Sequence, residues 1–175
     1  PIMVMNLNLD QLDQEVMRRF TRNPLYFIKT IWNLDPQPVL EKYRSEVDIY
    51  VANGQWDRIK VHHFDQFVKG KHFTWQQWLI LLAVERALVY GNNRISIVSG
   101  HSTGKSSTLS WLIIWYLFCH LDAQIGATAP TSEQMHDVLW KEVSLWLGKM
   151  PEEIQNLFDF SAGYVRVKER PDTWF

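Results

Sequence analysis

Nine consecutive residues, Ser99-Gly100-His101-Ser102-Thr103-Gly104-Lys105-Ser106-Ser107, hold the densest chemistry in the sequence. Small side chains let successive backbone N–H groups turn to one side and form a nest for an anion. Gly104-Lys105-Ser106 match the end of the pattern G-x-x-x-x-G-K-[ST], which cradles nucleotide phosphates. Ser99 stands at the first glycine position, and a glycine follows one residue later at Gly100. A β-branched run, Ile95, Ile97 and Val98, precedes the loop, and an apolar helical stretch follows it. A helix starting at Lys105 turns the positive end of its dipole toward the loop. In this reading Gly100, His101, Ser102, Thr103, Gly104, Lys105, Ser106 and Ser107 bind phosphate. Lys105 is the catalytic cation near the β and γ phosphates, and Ser106 offers its hydroxyl to Mg²⁺. The same residues also suit an ordinary strand-to-helix turn with a surface lysine. Their position between a strand and a helix favours a nucleoside triphosphate.

These residues need elements to hold them. The half before the loop reads as a string of helices. Residues 7–20 are amphipathic, and Asn23 caps a helix with Pro24 at its first position that ends near Leu34. Asp35-Pro36-Gln37-Pro38 is a breaker. Residues 40–51 carry apolar groups at helical spacing and close at Asn53-Gly54. Residues 59–68 give no clear pattern. Thr74 caps a helix over 75–90, which Gly91-Asn92-Asn93 ends. From Arg94 the character changes to strand at 95–98, loop, helix from Lys105 to about His120, strand at 123–129, helix from Thr131 to about Leu147, a short turn at Pro151, and strand at 164–168. Parallel strands joined by a right-handed crossover are expected.

The bulk properties are those of a folded domain. The chain has 175 residues, of which 46% are hydrophobic, enough for a sizeable core. The formal net charge of −1 excludes tight DNA binding driven by bulk charge and leaves open a local basic face. The one cysteine, Cys119, has no intramolecular disulfide partner and fits a reducing cytoplasm. Neither a secretion leader nor an apolar run of spanning length is expected.

The loop SGHSTGKSS followed by ATAPTSEQMHDVLWKEV is similar to the ATPase domain of the phage large terminase, the DNA-packaging motor. NPLYFIKTIWNLDPQP resembles the early helical segment of many terminases. FTWQQWLILL resembles their adenine-recognition segment, and PDTWF the stretch leading toward their Walker B strand. The resemblance implies an α/β fold, an incomplete P-loop NTPase (RecA/ASCE-like) parallel sheet preceded by a helical region. Residues 1–72 would be that region and 73–175 the partial ATPase core. It implies ATP and Mg²⁺ as cofactors, and Gln76 as the adenine contact with Gln77 competing. An amide suits that role because it pairs a donor and an acceptor together. The full-length protein would be an ATPase and endonuclease driving double-stranded DNA into a procapsid. Its partners would be the portal, the small terminase subunit and copies of itself in a ring, in the host cytoplasm and without a membrane.

The sequence departs from that family in two places. His101 stands where many terminases carry an arginine, and a histidine is only partly charged near neutral pH. No apolar run ending in Asp-Glu occurs through Phe175, and Asp122 and Asp159 do not close one. These residues are therefore expected to bind ATP without hydrolysing it efficiently, as the N-terminal part of a larger protein. Two rivals remain: a helicase-like ATPase fragment, and a non-catalytic assembly module with a degenerate NTPase fold.

Other candidates have plainer readings. His62, His63 and His72 fit no common zinc spacing, and a surface helix bearing two histidines is expected. Thr131, with Gln134 three residues on, is expected to cap a helix and not to contact a nucleic-acid backbone. Arg18, Arg19, Arg22 and Lys29 read as a solvated face. Arg94, Arg166 and Lys168 are candidates for contacts to a neighbouring subunit. Trp75, Trp78, Trp111, Trp115, Trp140 and Trp146 are expected to pack the core.

Overall fold

The computed structural model describes residues 14–91, 94–100, 103–161 and 163–175. The chain groups into two compact units. One joins the described residues through Trp32 with Ser106–Phe175; the other is Asn33–Lys105. The boundary expected at residue 72 lies inside the second of these.

The Asn33–Lys105 unit ends at Lys105. Strand β1 (Asp35–Pro36) pairs in parallel with β2 (His72–Phe73). The breaker motif is thus half of a two-strand ladder. Pro36 is tolerated because the donors come from its neighbours: Asp35 N–H bonds Lys71 O at 2.9 Å and Gln37 N–H bonds Phe73 O at 2.9 Å. Residues 40–51 open as a 3₁₀ turn, Glu41–Tyr43, before helix α3 (Arg44–Ala52). Residues 59–68 contain one 3₁₀ turn, Val61–His63. Helix α4 (Trp75–Tyr90) has the predicted cap. The Thr74 hydroxyl accepts from Gln77 N–H at 3.2 Å, Gln77 Oε1 accepts from Thr74 N–H at 2.9 Å, and Gly91 ends the helix at φ 68°. Val47, Ile59 and Phe64 form the core, packed by Trp75 and Trp78, with Phe64 stacked on Trp75 at 5.7 Å. Arg86 donates to the last carbonyls of α3, Val51 O at 3.2 Å and Ala52 O at 3.1 Å.

The other unit opens with α1 (Gln14–Arg22) and α2 (Pro24–Trp32). Asn23 Oδ1 caps α2 by accepting from Tyr26 N–H at 2.9 Å. Helix α5 (Lys105–Cys119) begins with the last residue of the lysine-bearing unit, and its other residues belong here. Its apolar positions recur at three and four: Trp111, Ile114, Trp115 and Phe118 are all buried. Trp115 Nε1 donates to Phe20 O at 2.6 Å, and Phe118 meets Phe27 at 5.7 Å. The helix expected from Thr131 is a π-helical stretch, Gln134–Trp140, running into α6 (Lys141–Gly148). Helix α7 (Glu152–Gln155) leads to an antiparallel sheet, β3 (Phe158–Ser161), β4 (Tyr164–Val167) and β5 (Arg170–Trp174), in that order.

The strand arrangement differs from the expected parallel sheet. Residues 94–98 lie outside any ladder among the described residues, with Val98 95% exposed. β-branched residues favour a strand only where a neighbour supplies hydrogen bonds and a face to pack on. Among the described residues, 123–129 make one parallel bridge, Gln124 with Trp174. Its two bonds are Trp174 N–H to Ala123 O at 2.8 Å and Ile125 N–H to Trp174 O at 2.9 Å. The predicted strand at 164–168 forms as β4, but its partners are the antiparallel neighbours β3 and β5.

Candidate functional site

Lys105 folds back over the loop that precedes it. Its Nζ donates to Gly100 O at 2.6 Å, Ser99 O at 3.0 Å and Ser99 Oγ at 3.0 Å. An ammonium has three protons, so all are used. The acceptors are neutral, and no carboxylate bridges Lys105 among the described residues. Its charge is therefore not cancelled locally and remains available to an anion. Ser99 and Thr103 close the turn with a 2.8 Å contact between their hydroxyls, and Thr103 Oγ1 also donates to Gly100 O at 3.3 Å. Ser99, at the first glycine position, thus supplies two of the lysine's acceptors; its place at the loop entry was the signal for it.

Gly104 takes φ 78°, in the left-handed region. A Cβ there would run into the Gln77 amide, 2.9 Å from Cδ. The close approach has a purpose: Gln77 Nε2 donates to Gly104 O at 3.1 Å while its Oε1 serves the Thr74 cap. Gln77 is 6% exposed and spends both ends of its amide inside the protein. Gln76 is half-buried, and its amide has no hydrogen-bond partner among the described residues.

Ser106 and Ser107 follow on α5. Ser106 O accepts from Ser110 Oγ at 2.8 Å, and the Ser106 hydroxyl has no partner among the described residues. Ser107 Oγ donates to Glu142 Oε2 at 2.9 Å, a contact that sequence reasoning missed because its partner lies far along the chain. His101 and Ser102 lie outside the described residues.

The remaining candidates take structural places. His63 is 2% exposed within a 3₁₀ turn, so the surface helix expected for the histidine pair does not form. Its Nδ1 accepts from Lys60 N–H at 2.9 Å, and Nε2 faces Glu46 at 4.0 Å. His72 is also buried and accepts from Val68 N–H at 3.2 Å. Among the described residues no group of three or more His, Cys, Asp or Glu could hold a metal ion. Thr131 caps as expected, accepting from Gln134 N–H at 3.2 Å. Arg19 lies 3.8 Å over the Tyr26 ring, and Arg166 pairs with Asp159 at 2.8 Å across β3 and β4. Burial pushes the Cys119 thiol well above its ordinary range.

No family model, no curated protein and no solved structure matches this chain. Among the described residues no helix is long and apolar enough to cross a membrane.

Proposed function

We propose that this chain binds ATP with Mg²⁺ through the loop that ends at Lys105. We further propose that it is the ATP-binding part of a terminase-type large subunit, whose full-length form moves double-stranded DNA into a procapsid. One observation carries the nucleotide reading. Lys105, at the first position of a 15-residue helix, curls its charged end onto Ser99 and Gly100, with no carboxylate partner among the described residues. A triphosphate is a better acceptor for that ammonium than two peptide carbonyls and a hydroxyl, because the bonds become charge-assisted at both ends. Mg²⁺ typically takes only one or two protein ligands, plus phosphates and water, and the Ser106 hydroxyl, which has no partner among the described residues, suits that demand. The packaging role rests on the resemblance of the phosphate loop and of the ATAPT and LWKEV segments.

Calorimetric titration with MgATP tests the nucleotide reading. Hydrogen bonds to charged groups are worth about 1.5–3 kcal/mol, so Lys105→Ala should weaken binding roughly tenfold or more. Equal affinity of the wild type and Lys105→Ala would overturn the reading and favour the non-catalytic module.

A further inference from the structure

We propose that Glu142 is a positioning residue for the nucleotide loop, acting through Ser107, and that Trp146 registers the state of that contact. The inference rests on the nucleotide reading above.

Glu142 Oε2 accepts two hydrogen bonds, from Ser107 Oγ at 2.9 Å and from Trp146 Nε1 at 3.1 Å. Ser107 is the third residue of α5, two after Lys105, and Glu142 is the second residue of α6. A serine hydroxyl has one proton. Committed to Glu142, it leaves Ser107 only its backbone N–H to offer an anion. The carboxylate fixes the Ser107 rotamer and with it the orientation of the first turn of α5, whose N–H groups would face the phosphates. A binding constellation is only as accurate as the groups that lock its own side chains.

The carboxylate is itself held. Trp146 sits one turn along α6 and grips the same oxygen. Its ring meets Trp111 at 5.0 Å and Trp32 at 5.6 Å, edge to face, and its carbonyl accepts from Trp32 Nε1 at 3.0 Å. A shift of the Ser107 turn therefore reaches a tryptophan N–H through one shared oxygen.

A double-mutant cycle on MgATP affinity tests this. Ser107→Ala and Glu142→Ala should each weaken ATP roughly fivefold, the equivalent of one hydrogen bond. The double variant should bind no more weakly than either single one, because both remove the same contact. Ser107→Thr, which keeps the hydroxyl, should bind as the wild type does. In protein labelled with 5-fluorotryptophan, the ¹⁹F resonance missing from Trp146→Phe should shift on MgATP addition in the wild type and stay fixed in Ser107→Ala. Full additivity in the cycle, or wild-type affinity of Ser107→Ala, would overturn the inference while ATP binding stands. If Glu142→Ala does not fold, the comparison of Ser107→Ala with Ser107→Thr decides by the same criterion. A wild type that binds no ATP overturns the nucleotide reading and this inference with it.

Discussion

At the scale of single residues, the loop depends on one backbone conformation and one buried amide. Gly104 at φ 78° occupies a region where an L side chain costs about 1–2 kcal/mol. Its missing Cβ is also what lets the Gln77 amide reach the Gly104 carbonyl. Gly104→Ala should therefore lower unfolding free energy by at least about 1 kcal/mol in urea titrations and abolish ATP binding. An unchanged urea midpoint would contradict the conformation assigned here. The two adjacent glutamines should separate cleanly. Gln77→Ala strands the Thr74 N–H, a loss of about 1–3 kcal/mol in stability. Gln76→Ala should stay within about 0.5 kcal/mol of the wild type and instead narrow the preference for ATP over GTP, read by competition binding.

At the scale of elements, α5 joins the loop lysine to an aromatic core. Eight of its residues, from Thr108 to Phe118, are buried. Its end shows burial overriding the helix dipole. A dipole favours a charged histidine at a helix C-terminus. His120 instead stacks on Tyr116 at 4.2 Å and meets Trp115 edge to face at 5.1 Å. Burial lowers its pKa below the ordinary 6.5, only partly offset by the Tyr116 carbonyl. The folded chain thus binds this proton less readily than the unfolded one. Its contribution to stability is complete above pH 6.5 and is lost as pH falls through the depressed folded value. Acidification from pH 7.5 to about 5.5 should lower the urea midpoint more in the wild type than in His120→Gln. Equal drops in the two proteins would show that this ring is not shielded as described.

At the scale of the whole molecule, two apolar cores coexist with a surface that carries little net charge, −1. Ile95, Ile97 and Val98 stand exposed at 43%, 38% and 95%, shortly before Ser99 and Gly100. A low net charge and an exposed β-branched run both favour association between chains. Val98→Glu should leave unfolding free energy within about 0.5 kcal/mol, since the side chain packs on almost nothing. It should also reduce concentration-dependent association in sedimentation velocity. Loss of stability in that variant would mean that Val98 is buried in solution.

Features that depend on near neighbours follow from local residue order alone. Asn23 and Thr74 each cap a helix within three residues, Gly91 ends α4, and the helical period of 111–118 faces the core because such signals act inside one or two turns. The start of α5 at Lys105, directly after Gly104, was legible for the same reason. Tertiary structure decided what depends on distant partners. It committed Gln77 to Gly104 across 27 residues, brought Glu142 to Ser107 across 35, and buried His63 in a turn that had read as exposed helix. Among the described residues it also left 95–98 without a ladder, and it made β4 antiparallel, because a strand's direction and its very existence are set by the chain lying beside it and not by its own residues.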